Sequence, residues 1–169
     1  AALGGVDLLV NNASAFGSSD DDAGWTGSLA VDMMAIVHAT QEAHPALKKS
    51  QGSVVNISSI SALHPAVRQP PYGAIKAAAI HYTITQAAMY AKDRIRVNCI
   101  APGSVDFPGS VWDRRRTDNP ALYNGTLASI PFGRFGTPEE IANVALFLAS
   151  PLASWVTGQA IAVAGAQGL

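Results

Sequence analysis

Three apolar, β-branched runs, "VDLLVNNA" (Val6 to Ala13), "GSVVNISSIS" (from Gly52) and "RIRVNCIAPG" (from Arg94), punctuate this chain at wide intervals. The intervals decide the topology. Antiparallel neighbours can be joined by a two-residue turn, whereas parallel neighbours need a crossover of a dozen residues or more, usually a helix. The intervening stretches have the length and pattern of such crossovers. "WTGSLAVDMMAIVHATQEAHPALKK" predicts a long helix from about Trp25, with Val31, Met34, Ile36 and Val37 on or near its apolar face. "YGAIKAAAIHYTITQAAMYAK" predicts a second, rich in Ala. "TPEEIANVALFLAS" predicts a third, with Thr137 as N-cap, Pro138 at N1 and two Glu in the positive first turn. "TGQAIAVAG" reads as a last short strand. The fold class is therefore α/β: a parallel sheet with helices on its faces, in one domain over residues 1–169.

Composition limits what such a fold can do. Of the 169 residues, 49% are hydrophobic and 14% charged, enough to bury a core and too apolar for disorder. A net charge of −1 with no basic stripe argues against nucleic acid as a partner. No apolar run has the length of a membrane span, and the N-terminus has no positive flank of the kind a secretory signal carries, so a soluble, cytoplasmic protein is expected. Cys99, the lone cysteine, sits in an apolar run and reads as buried and inert. His38, His44, His64 and His81 lack metal-ligand spacing and read as surface or packing residues; no metal site is expected. "SSDDDAG" from Ser18 reads as a solvated loop and the acidic start of a helix.

Some thirty residues, about Ser104 to Gly136, separate the third strand from the third helix. A connection of that length in a compact domain is more often a lid than a turn. Its "WDRRRTDNP" segment is either a substrate-facing arm or a solvated charged loop. Trp112 and Tyr123 either line a pocket or only pack.

Chemistry concentrates in "PPYGAIKAAAIHY" from Pro70. Tyr72 and Lys76 stand four apart, on one face of the predicted second helix. Alone that pairing is a common accident. Ser59, thirteen residues before Tyr72, narrows it, because it falls at the carboxyl end of a predicted strand, the edge where open parallel sheets bind ligands. An ammonium about 5 Å from a phenol, at an effective dielectric near 20, favours the phenolate by roughly 3 kcal/mol. The expectation is that Lys76 lowers the pKa of Tyr72 into a range useful for acid–base catalysis. No G-x-S-x-G elbow or neighbouring His activates Ser59 as a nucleophile, so it reads as a hydroxyl that binds a carbonyl or alcohol oxygen.

The segments "VDLLVNNAS", "GSVVNISSIS", "YGAIK", "RIRVNCIAPGSV" and "IPFGRFGTPEEIANVALFLAS…WVTGQAIAV" resemble, in order and spacing, the later part of a short-chain dehydrogenase/reductase. The resemblance runs over essentially the whole chain. It implies a partial Rossmann-type doubly wound sheet and hydride transfer between NAD or NADP and a carbonyl/alcohol substrate. It also implies Tyr72 as proton donor and acceptor, Lys76 as the residue that tunes Tyr72 and holds the nicotinamide ribose, and Ser59 as the group orienting the reacting oxygen. By the same resemblance Asn11, Asn12, Ala13 and Ser14 support the sheet and lie along the cofactor. Pro102, Gly103 and Val105 lie against the nicotinamide, the Val105 backbone meeting its carboxamide. A homo-oligomer, dimer or tetramer, is implied, built through the two long helices and the last helix and strand.

The sequence departs from the family pattern at several places. Asp32 stands where the family has the Asn of its proton relay, Ser14 where it usually has Gly, and Phe107 where a Thr hydroxyl usually binds the carboxamide. The Gly-rich phosphate turn and the residue that separates NAD from NADP are not in these 169 residues. About three strands with their helices are expected upstream in the parent protein. Without them, or another chain in their place, the Asn11–Asn12 strand would be an open edge. The competing expectation is a truncated, catalytically inactive remnant with a structural or oligomer-forming role.

Overall fold

The computed structural model describes residues 4–168. Strands β1 (Leu8–Asn11), β2 (Ser53–Ile57), β3 (Arg96–Pro102) and β4 (Ala160–Val163) form one sheet in the order β1-β2-β3-β4, every pairing parallel. Register is tight through the centre: Leu9 faces Val54, Val54 faces Val97, and Ile100 faces Ile161. The helices are α1 (Asp22–Ser28), α2 (Met34–Ser50), α3 (Pro70–Tyr90), α4 (Val111–Asp118), α5 (Pro120–Ala128) and α6 (Pro138–Ala149).

Alternation along β2 explains the layering. Val54 points to one face, where Leu47 of α2 and Ala87 and Tyr90 of α3 complete a core with Ile95 and Val97. Val55 points to the other, where it meets Ile100 and Leu148 of α6, flanked by Ile141, Val144 and Ile161. A strand buried on both faces reads as a continuous apolar run, as "SVVNI" does. Arg96 of β3 ties the second layer down by donating to the carbonyls of Leu148, Ala149 and Ser150 at the end of α6. Those carbonyls have no partner within the helix and carry its negative dipole end.

The predicted first helix starts earlier than Trp25 and is not one helix. Asp21 caps α1, accepting from the Gly24 N–H at 2.8 Å. Between α1 and α2 the chain widens into a π turn, Leu29–Met33, in which the Met34 N–H reaches back to Leu29 O. Such turns occur where a helix accommodates one residue too many, often at functional sites. The Ser104–Gly136 connection, expected as a lid, contains two helices, α4 and α5. Ser110 caps α4 through the Asp113 N–H at 2.9 Å, and Asn119 caps α5 through the Leu122 N–H at 3.1 Å.

Strand β1 lies at the edge of the sheet and has a partner on one side only, among the described residues. No helix among them is long and apolar enough to cross a membrane.

Candidate functional site

Parallel strands deliver their carboxyl ends to one edge, and the singled-out residues collect there. Ser59 follows β2 and caps a short 3-10 turn, its Oγ accepting from the Ser61 N–H at 3.1 Å. Helix α3 begins nearby and presents Tyr72 in its first turn, beside the Ser59 side chain on the wall of the same cleft. Gly73 is required for this approach: a Cβ there would stand 2.5 Å from the Ala66 Cβ and 3.0 Å from Ser61 O. Lys76 lies one turn on, its ammonium 5.5 Å from the centre of the Tyr72 ring.

The end of β2 holds this lysine at both ends. The Ser58 hydroxyl donates to the Lys76 carbonyl at 2.8 Å, and Nζ donates to Ile57 O at 3.0 Å. Nζ also lies 3.1 Å from Oδ1 of Asp32, in the π turn. Asp32 is fully buried and Lys76 nearly so. The other carboxylate oxygen of Asp32 accepts from the Ala15 N–H at 3.1 Å.

This pair corrects the expectation for Tyr72. The expected fall in the phenol pKa is not realised: Tyr72 stands above its ordinary value, chiefly because burial penalises the phenolate. The neighbouring Ser59 side chain opposes the rise, and the negative charge of Asp32 adds to it. The lysine's charge alone would favour the phenolate, but the fold places a carboxylate on that lysine.

Around this centre lies a cleft of about 510 Å³, lined among others by Ser59, Ile60, Tyr72, Gly103, Ser104 and Trp112. Phe16 also lines it, with its ring 4.9 Å from that of Tyr72. Phe16 has a left-handed φ of 52°, unusual for a bulky residue, and its N–H donates to the Ser14 hydroxyl at 3.2 Å. Nothing in the spacing of the sequence marks Phe16. Of the two lid aromatics, Trp112 reaches the cleft, while Tyr123 packs on Phe135 and bonds Asp106 at 3.4 Å. "WDRRRTDNP" divides likewise: Arg115 lines the cleft, Arg116 pairs with Asp106 at 2.6 Å, and Arg114 donates to Gly109 O.

Asn12, Ala13 and Ser14 are exposed after β1, on the same edge of the sheet. Asn11 turns inward instead, donating to Asn56 Oδ1 at 2.8 Å and to Thr40 Oγ1 at 3.2 Å. Asn56 passes the chain on to Thr83 and Gln86 of α3. Pro102 ends β3, and Gly103 comes next in a position where a Cβ would stand 2.8 Å from the Ala164 Cβ. Val105 forms an isolated parallel bridge with Gly136. That bridge uses Ser104 O and the Asp106 N–H, so the N–H and C=O of Val105 itself face the other way and make no backbone bond among the described residues. Phe107 is half exposed and has no hydroxyl to offer.

The thiol of Cys99 is fully buried and pushed up to about 11 by that burial. His44 stacks on Tyr90 and pairs with Asp93 at 3.0 Å. No group of three or more metal-ligating side chains converges among the described residues.

Comparison with known proteins places this geometry. The family model described as enoyl-(acyl carrier protein) reductase matches residues 1–166. The chain is 38% identical over 170 residues to the 3-oxoacyl-(acyl-carrier-protein) reductase of Thermotoga maritima, covering 96% of this chain and 66% of that protein. A 7α-hydroxysteroid dehydrogenase structure, complexed with NADH and 7-oxo glycochenodeoxycholic acid, superimposes with a TM-score of 0.87 at 34% identity, over 97% of this chain and 64% of that one. The L-sorbose reductase of Gluconobacter frateurii, complexed with NADPH and L-sorbose, gives 0.86 at 30% identity, over 98% and 67%. The chain spans between 64% and 66% of the length of the curated relatives it matches.

Proposed function

This chain belongs to the short-chain dehydrogenase/reductase family, and from that premise we propose that the protein carrying it is an NAD- or NADP-dependent oxidoreductase acting on a small carbonyl or alcohol substrate. The observation that carries the reading is the convergence of Ser59, Tyr72 and Lys76 at the carboxyl edge of a parallel sheet, beside a cleft large enough for a small molecule. Relatives with NADH and with NADPH bound both support a nicotinamide cofactor without choosing between the two.

The residues present fit such a cofactor. Val105 offers a backbone donor and acceptor that its bridge to Gly136 leaves unengaged. The Lys76 ammonium has three protons; Ile57 O takes one, and Asp32 lies 3.1 Å away as its counter-ion, which leaves a donor for a ribose hydroxyl. Asn12, Ala13, Ser14, Pro102 and Gly103 line the same edge with exposed or half-exposed backbone. Bound there, the nicotinamide supplies or accepts the hydride.

The protein's own part is alignment and the proton. Ser59 binds the substrate oxygen and orients it toward Tyr72. Tyr72, held neutral by burial, donates its proton to that oxygen as it gains negative charge in reduction, and takes the proton back in oxidation. Asp32 positions Lys76 and offsets its charge, keeping Tyr72 in the acid form over the neutral range. With the phenol raised, its proton is in place for reduction at neutral pH, and reduction is expected to fall only as pH climbs past the ordinary tyrosine value of 10.0.

Partly exposed apolar side chains on the long helices and near the C-terminus, among them Trp25, Leu29, Ile84, Met89 and Leu146, support a homo-oligomer built on those surfaces.

The test is NADH- and NADPH-linked reduction of a ketone panel by the whole protein, with and without Tyr72→Phe. A fall in kcat of roughly 10²–10⁴, with cofactor affinity retained, is expected. Equal turnover by the variant would sink the assignment of Tyr72. No turnover by either protein with any ketone would favour the non-catalytic remnant.

A further inference from the structure

Most arginines of this chain have an evident local role. Arg116 pairs with Asp106, Arg134 with Glu140, Arg96 binds three carbonyls and Arg114 binds one. Arg68 and Arg115 differ. They come from separate segments, the loop before α3 and the second turn of α4, yet both line the cleft that holds Ser59 and Tyr72. Neither forms an ion pair among the described residues, and no Asp or Glu lines that cleft.

Both guanidiniums border the same cleft, Arg68 exposed at its mouth and Arg115 half buried. Arg115 is half buried and loses some of its affinity for a proton, first through burial and then through the charge of Arg68. Its guanidinium lies 4.9 Å from the Trp112 ring centre, which fixes its plane beside the cleft. Like charges drawn together without a counter-ion cost free energy, and an arginine fork stacked on an aromatic ring is pre-organised for a planar or tetrahedral anion. Of the other polar residues lining the cleft, Thr126 has a hydroxyl and Gln69 a second amide proton to donate, the Ser129 hydroxyl being already given to Thr126 O at 2.7 Å.

We infer that the cleft takes a carbonyl or alcohol substrate that also carries an anionic group, a carboxylate or a phosphate, bound by Arg115 and Arg68 while the reacting oxygen lies against Ser59 and Tyr72. The inference rests on the proposed oxidoreductase reading for the position of the reacting oxygen. The anion subsite itself is read from the two arginines.

Binding measures it without turnover. Trp112 lies against Arg115 and reports occupancy by fluorescence, with Trp112→Phe as the blank. Three ketones of matched length serve as probes, ending in a carboxylate, a phosphate and a methyl ester. At least one anion is expected to bind about tenfold or more tighter than the ester, the effect of one charge-assisted contact of about 1.4 kcal/mol. That advantage should shrink with added salt and in Arg115→Gln, less in Arg68→Gln, and be partly kept in Arg115→Lys. Which anion wins identifies the group. Equal binding of all three probes, or an anion advantage untouched by both Gln variants, overturns the inference. Efficient reduction of neutral ketones with no gain from charge would sink the anion subsite and leave the oxidoreductase standing. Tight anion binding without hydride transfer from either cofactor would do the reverse.

Discussion

Two polar assemblies are buried against α3, and they are built on opposite principles. Across the sheet run Asn11, Asn56, Thr83 and Gln86, all neutral and joined by side-chain hydrogen bonds of 2.8 to 3.0 Å. Two turns of α3 or more away, Lys76 and Asp32 form an ion pair almost wholly out of water. The neutral chain locks β1, β2 and α3 in one register by exchanging water bonds for protein bonds, the buried Nε2 of Gln86 alone in it being left without a partner among the described residues. The charged pair must offset the desolvation of two ions, and an apolar pair of similar volume would often be as stable or more so. A cost of that kind beside Tyr72 is best understood as serving chemistry, whereas the neutral chain serves the fold.

Single substitutions separate the two. Lys76→Met leaves a buried carboxylate without its cation and is expected to cost about 3–5 kcal/mol in a urea melt. Asn56→Leu strands its partners Asn11, Thr83 and Gln86 and should cost about 2–4 kcal/mol, while leaving the ultraviolet titration of Tyr72 in place. If both substitutions moved the Tyr72 titration alike, the contrast would fail. Asp32→Asn tests the charged side from the other end. Removing its negative charge exposes Tyr72 to an unmatched Lys76, so phenolate absorbance, isolated by subtracting a Tyr72→Phe version, should rise at lower pH than in the parent. The sign carries over to stability. A phenol whose folded pKa is raised contributes stability that is complete below about 10 and is lost as pH rises through the folded value. In Asp32→Asn that alkaline contribution should shrink. Thr40→Val, which removes one acceptor from Asn11, is the mildest, at about 1 kcal/mol.

What could be read from residue order divides in the same way. The strands and long crossovers were legible because two-sided burial leaves a continuous apolar run and helices leave a period. The Ser59, Tyr72 and Lys76 cluster was legible because its members lie on adjoining segments at fixed spacing. The charge state of the cluster was not, since Asp32 reaches Lys76 through the packing of a separate helix. Helices α4 and α5 escaped notice for a local reason: "VWDRRRTD" is too polar to show an apolar stripe. Their start signals were nonetheless present, in Ser110 ahead of Asp113 and in Asn119 ahead of Pro120. Phe16, Arg68 and Arg115 come together only when two loops and helix α4 fold over one edge.

The π turn at Leu29–Met33 makes chain length itself a variable of this site. One surplus residue is taken up within the wide turn, and Asp32 lies inside it. Loss of a single residue there would let the helix relax to ordinary winding and remove the widened turn that carries Asp32 to Lys76. A deletion, with every side chain chemically intact, could thus uncouple the carboxylate from the lysine more completely than many substitutions. Insertions and deletions in this helix are therefore a route by which descendants of this protein can gain or lose the pair without altering a residue that touches substrate.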